Sequence, residues 1–268
     1  MLQKKTTKSC LWLLAAGIMI LALTGFNIIH QPKKQPLIVE RQKCVLQHMI
    51  GGIPSEDCDI GINIDVPVGG DPILVDSIMH FLNREIYDFI EPGQAPSFSP
   101  SEVYCADAKR LLSHYKDAYK PILIDTCYRV DNPPCCTNGH HLSVTMEEQT
   151  KSFVTYQVRV LHIGEGDCEY LSWVTFYTSD GHRLSKVIKD DQVVNLLRTA
   201  SGTEYDVMSD VEYRLSIGTD VVGMCDFGLT TDTLRCQYFY APGIVEDLLF
   251  DMKKARPYLT DEAKRLLE

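Results

Sequence analysis

Residues 131–144, DNPPCCTNGHHLSV, hold the densest set of metal-ligand types in the chain. Cys135 and Cys136 precede His140 and His141, and Cys127 lies upstream of all four. Zinc needs three or four such ligands converging on a tetrahedron. Neighbouring residues of an extended chain point to opposite sides. At most one cysteine and one histidine of each pair therefore reach a common ion. No second matching pair, no His-Glu-x-x-His and no Cys-x-x-Cys occurs elsewhere. A connector pinned by disulfides explains the cysteines better than a metal centre, and His140 and His141 stay without an assigned role. No metal and no cofactor is expected.

Other chemistry is equally unsignalled. There is no Gly-x-Ser-x-Gly elbow, no phosphate-cradling loop and no dinucleotide fingerprint. Asp190 and Asp191 read as a helix cap, and Glu147 and Glu148 as a solvated strand edge. The Gly164–Asp167 turn has too few oxygen ligands for a calcium loop. No catalytic residue is assigned, and the chain reads as a non-enzyme.

The N-terminus sets the compartment. Lys4, Lys5 and Lys8 precede an uncharged stretch, residues 10–29, long enough to cross a bilayer. Such a segment is a cleaved signal peptide or a retained signal anchor. Small residues at a cleavage site are poorly supplied, which tilts the reading to an anchor. Either way the rest of the chain is exported. The whole chain carries −10, and those three lysines are its only charges before residue 30, so the remainder carries −13. That charge argues against nucleic acid and suits a basic protein partner.

In an oxidising compartment cysteines default to disulfides. The chain has 10 cysteines, and Cys10 belongs to the apolar segment. The remaining number is odd, so one thiol is left free or pairs between chains. Cys44 and Cys58 bracket a loop-like stretch with Gly-Gly and Pro. Cys225 and Cys236 flank an expected hairpin with Thr231-Asp232 as its turn. In that register Cys225 faces Tyr238 and lies diagonal to Cys236. Cys127, Cys135 and Cys136 are the other disulfide candidates.

The elements that position these residues follow from periodicity. Residues 60–68, IGINIDVPV, alternate as a half-buried strand. Asp71-Pro72 then opens a helix, with Leu74, Ile78, Leu82 and Phe89 on one face. A capping box at Ser99–Glu102 opens a second helix up to Pro121. Residues 122–130 read as a strand. After the Pro-Pro-Cys-Cys turn come strands at 142–148, 153–162 and 170–178, a short helix at 190–200, the hairpin 224–240, and a final helix capped by Thr260. The fold expected is α+β: an N-terminal strand-helix-helix-strand part packed with a C-terminal, mostly antiparallel sheet plus helices. The segments are 1–30 signal or anchor, 31–58 tether, 59–135 N-terminal domain and 136–268 C-terminal domain.

The C-terminal half resembles the RsiV-like C-terminal domain family of exported bacterial proteins. Three stretches carry the likeness: 173–188 (WVTFYTSDGHRLSKVI), 227–243 (FGLTTDTLRCQYFYAPG) and 256–267 (RPYLTDEAKRLL). Residues 60–90 look like that family's companion domain. The chain departs from the pattern at 164–168 (GEGDC), where many members carry a histidine, and at Gly243, where many carry tyrosine. Some members bind lysozyme or accompany peptidoglycan deacetylases. The resemblance implies a binding surface at Tyr238, Tyr240 and Pro242, with core packing of the two tyrosines as the alternative. The expected function is non-enzymatic: an envelope protein, tethered through its N-terminal segment, that binds a basic protein such as a lysozyme-type hydrolase, or a cell-wall glycan. The alternatives are an envelope polysaccharide hydrolase or deacetylase accessory protein, and a structural protein held by disulfides.

Overall fold

The alternation over residues 60–68 becomes the second strand of a sheet. Ile62, Ile64 and Val66 turn into a core and are inaccessible or nearly so, whereas Val68 is 57% exposed where the strand runs out. The computed structural model describes residues 35–50, 53–90, 139–163, 168–200, 206–241 and 244–268. The expected second helix at 99–120, the strand at 122–130 and the apolar segment 10–29 lie outside these residues.

The protein is α+β. A five-stranded mixed sheet runs in chain order: β1 (Ile38–Ile50), β2 (Ile53–Gly69), β3 (Gly139–Gln149), β4 (Phe153–Ile163) and β5 (Cys168–Tyr177). All neighbours are antiparallel except β2 and β3, which are parallel. Helix α1 (Pro72–Ile90) covers one face. Its start follows the expected cap: Asp71 Oδ1 accepts from the Ile73 N–H at 3.0 Å, and Pro72 fills a position whose N–H has no helical acceptor. Leu74, Ile78, Phe81, Leu82 and Ile86 pack on Ile62, Ile64, Leu142, Val144, Val154 and Tyr156 in a first core.

A second sheet is antiparallel and three-stranded: β6 (Cys225–Leu229), β7 (Thr233–Ala241) and β8 (Ile244–Asp251). Its hairpin has the expected register, with Cys225 opposite Tyr238 and Leu229 opposite Leu234. The second core joins this sheet to α2 (Val193–Leu197), α3 (Val207–Ser216), α4 (Met252–Ala255) and α5 (Asp261–Leu266). Thr260 caps α5, its hydroxyl accepting from the Ala263 N–H at 3.2 Å. Helix α3 was not foreseen, although Asp206 caps it by accepting from the Ser209 N–H at 3.0 Å. Asp190 and Asp191 do not cap; Lys189 is the N-cap of the 3₁₀ turn Asp190–Gln192 that leads into α2.

Two expectations change. Residues 38–50 and 53–58, read as tether and loop, are strand. Glu40, Gln42 and Lys43 gave β1 a polar look, and an edge strand held by backbone pairing needs little apolar surface. This also removes the Cys44–Cys58 disulfide. Cys44 pairs with Ile62, four residues beyond Cys58 in β2. That offset is roughly 13 Å at about 3.3 Å per residue, well past the ~7 Å Cα limit of a disulfide. The boundary drawn between 135 and 136 separates β2 from β3 in sequence. The two strands are nevertheless neighbours in one sheet, and Pro36–Glu268 forms one compact unit. Among the described residues no helix is long and apolar enough to cross a membrane.

Candidate binding cleft at the edge of the five-stranded sheet

β5 is an edge strand, and its outward backbone groups must find partners. At its C-terminal end the chain folds back through Gly181, whose φ of 68° only glycine adopts freely. A Cβ there would sit 2.5 Å from Ser77 Oγ of α1. The returning segment then pairs with the strand: Tyr177 N–H donates to His182 O and Leu184 N–H to Thr175 O, both at 2.8 Å. At the other end the buried Gln237 of β7 accepts from the Leu171 N–H at 2.6 Å. Between these closures lies a cleft of about 600 Å³.

Several elements build it. β5 contributes Ser172–Thr175, α1 contributes Glu85, the segment after Gly181 contributes His182–Ile188, and the start of β6 contributes Cys225–Phe227. Alternation along β6 aims Asp226 and Gly228 toward β5. Gly228 is required by the approach: a Cβ there would lie 2.5 Å from Trp173 Cγ. The Trp173 indole is held by Glu147 Oε2, to which it donates at 2.9 Å.

Three charged side chains in the cleft stand apart from one another. Asp226 accepts from the Phe227 N–H at 2.8 Å and also from the Trp173 backbone N–H. Burial pushes its carboxyl up to about 6, against the pull of those two N–H groups and of Arg183. Glu85 is raised as well, by burial first, with Asp88 and Asp226 adding to the rise and Arg183 and Arg84 opposing it. Arg183 sits over the Phe81 ring, 5.7 Å from its centroid. Among the described residues it forms no ion pair with either carboxylate. By contrast Lys186 and Asp190 close on each other at 2.5 Å. No sequence motif announced this group, because its members come from three elements far apart in the chain. The one available hint was an acidic residue inside each of two apolar patterns, Glu85 in α1 and Asp226 in β6.

The residues singled out by sequence fall elsewhere. Tyr238 is inaccessible and belongs to the second core, so it cannot form a contact surface. Its hydroxyl donates to Asp210 Oδ2 at 2.6 Å, and Arg214 Nε donates to the same oxygen at 2.5 Å. Burial, then the bond to Asp210, raises the Tyr238 pKa. Tyr240 is half-buried beside the second core, its carbonyl accepting from Arg214. Pro242, the Gly164–Asp167 turn, Cys127, Cys135 and Cys136 lie outside the described residues. Cys225 and Cys236 are thiols in mutual contact in this structure. Burial raises the Cys236 pKa well above the usual thiol value, and Cys225 adds to the rise.

His141 is half-buried and lies over Gly61, where a Cβ would meet its Nδ1 at 2.5 Å. With Lys43, Asn63, Ser143 and Arg159 it lines a smaller hollow of about 300 Å³. Among the described residues no three metal-ligating side chains gather. Of the two expected at a solvated edge, Glu147 is largely covered and Glu148 sits at an exposed rim. Glu147 also pairs with Arg235, and Glu148 accepts from the Thr231 N–H at 2.7 Å and its hydroxyl at 2.5 Å.

No family model and no curated protein matches this chain. Two similar solved structures are proteins of the DUF3298 family, a domain of unknown function. One, from Bacteroides fragilis, has 14% identity and a TM-score of 0.55, over 85% of this chain and 96% of that one. The other, from Pseudomonas aeruginosa, has 13% identity and a TM-score of 0.47, over 85% of this chain and 97% of that one. At these identities the likeness is one of fold.

Proposed function

We propose that the chain is an exported, membrane-tethered binding protein of a bacterial cell envelope, and that the cleft beside β5 is where its ligand enters. The observation that carries this reading is the state of Glu85, Arg183 and Asp226. They line one cavity and neutralise none of each other's charge by contact. Desolvating a carboxylate without a cationic partner is unfavourable. A folded chain that keeps two such groups in a cleft gains when a ligand completes them. The net charge of −10 favours a basic protein as partner and would speed its approach. The sequence resemblance to RsiV-like domains points to the same class, a lysozyme-type hydrolase, with cell-wall glycan as the other envelope ligand. Calorimetric titration of the full chain with lysozyme at low salt tests it, beside retention on peptidoglycan. Heat of binding or retention supports the reading; absence of both lysozyme and peptidoglycan binding contradicts it.

A second reading has its own observation. Two carboxylates in one cleft, one of them held near 6, also suit general acid–base hydrolysis of an envelope polysaccharide. Release of reducing ends from peptidoglycan by the wild type, lost in Asp226→Asn, would favour it over simple binding.

A further inference from the structure

We infer that the group admitted to the cleft is zwitterionic and amino-acid-like with a second ammonium, its nitrogens placed at Glu85 and Asp226 and its carboxylate at Arg183. The inference rests on the cleft being the binding site proposed above and names what enters it.

The charge pattern decides the ligand class. A plain cation would satisfy the two half-buried carboxylates and leave the exposed Arg183 guanidinium to solvent. A plain anion would meet Arg183 but face Glu85 and Asp226. A group with two ammoniums and one carboxylate answers all three residues and neutralises the surplus negative charge. Arg183 lies over the Phe81 face, 5.7 Å from its centroid, and not against a carboxylate. The volume of about 600 Å³ lies within the usual range of small-molecule pockets, roughly 300–1,000 Å³. Leu184, Ile188 and Val193 give it an apolar wall for the methylenes of a diamino acid.

Several other groups of the cleft have neighbours of their own. Lys186 and Asp190 pair with each other, the His182 ring lies 6.2 Å from that of Tyr177, and the Cys225 thiol donates to the Val221 carbonyl at 3.5 Å. The charged and titratable groups that share the cleft with Asp226 are thus Glu85, His182, Arg183, Lys186, Asp190 and Cys225. Arg183 lowers the Asp226 pKa through its charge, and Asp226 and Glu85 repel each other. Protonation of a carboxyl that titrates near 6 removes one of the three contacts. Affinity should then fall about tenfold between pH 7 and pH 5.

The test uses the full chain in detergent and calorimetry with three probes: L-lysine, L-lysinamide, which lacks the carboxylate, and L-norleucine, which lacks the second ammonium. Lysine should bind at least tenfold more tightly than either analogue. Arg183→Gln should reduce lysine to the level of lysinamide and leave lysinamide unchanged. Glu85→Gln and Asp226→Asn should each weaken lysine at least tenfold, and Asp226→Asn should flatten the pH profile. Asp76→Asn, an exposed carboxylate on α1, should change affinity less than twofold. Equal binding of lysine and lysinamide to the wild type, or no heat with any probe, overturns the inference without needing any variant to fold. Lysozyme binding by the same sample, insensitive to Arg183→Gln and Glu85→Gln, would leave the general binding reading intact and remove the cleft from it.

Discussion

Strands β5 and β6 border both a closely bonded seam and an open cleft. On one side of the Trp173 backbone a series of hydrogen bonds lines the seam between the sheets. Gln237 takes the Leu171 N–H, Thr155 donates to the Leu229 carbonyl at 2.8 Å, the Trp173 indole meets Glu147, and Thr231 meets Glu148. On the other side, Glu85, Arg183 and Asp226 share a cavity without pairing. A buried polar network contributes to stability when every member is satisfied, at about 1 kcal/mol per bond. An unsatisfied charged group costs stability. The two regions differ in how their charged groups are met: along the seam Glu147 and Glu148 have partners on the second sheet, whereas Glu85, Arg183 and Asp226 form no ion pair with one another.

The largest effect should come from the seam's closest contact. Gly228→Ala would drive a methyl group into the rigid base of the Trp173 indole, 2.5 Å away. Overpacking of this kind should lower unfolding free energy by about 2–3 kcal/mol, read from urea denaturation. A neutral result would mean the two sheets slide freely and the seam is not closed.

Opening to the cleft, the sign reverses. Asp226 has a folded pKa of about 6 against 3.8 for the free group, so the folded state carries a stability cost above pH 6. That cost is relieved as pH falls through 6 and is gone below the free value. The shift of roughly two units, already net of the two N–H bonds to the carboxylate, is worth at most about 3 kcal/mol. Asp226→Asn should therefore stabilise the protein by about 1–2 kcal/mol at pH 8, with the gain vanishing near pH 4. Thermal denaturation across that range checks both the sign and the pH window. Destabilisation at pH 8 would place Asp226 with the seam instead.

Smaller effects belong to satisfied groups. Tyr238→Phe removes the bond to Asp210 while Arg214 still meets that carboxylate, so about 1 kcal/mol should be lost. Glu148→Gln removes the charge from an exposed tie to Thr231, and denaturant midpoints should show about 0.5 kcal/mol or less. A loss larger than that of Tyr238→Phe would mean the outer rim of the seam matters more than its interior.

Local features were legible in the sequence. Asp71-Pro72 and the spacing of Leu74, Ile78 and Leu82 are signals carried within one turn, and they placed α1. The Thr231-Asp232 turn fixes the β6–β7 register because a two-residue hairpin allows few alternatives, and Cys225 does face Tyr238. Non-local features were not. β1 reads as polar tether until β2 supplies its hydrogen bonds. Tyr238 reads as surface or core until Asp210 of α3 supplies its partner. The charged group of the cleft needs three elements at once, and Glu85 in isolation is one polar residue on an amphipathic helix. The cysteine- and histidine-rich stretch drew attention by composition, yet the open charges gather elsewhere.

The central claim is that Asp226 is a ligand group kept short of its partner. The carboxyl resonance of Asp226, followed by carbon NMR against pH in labelled full-length protein, tests it most directly. The account predicts a midpoint near 6 in the free protein, moving down when L-lysine fills the cleft. A midpoint in the ordinary carboxylate range, unchanged by L-lysine, would contradict it.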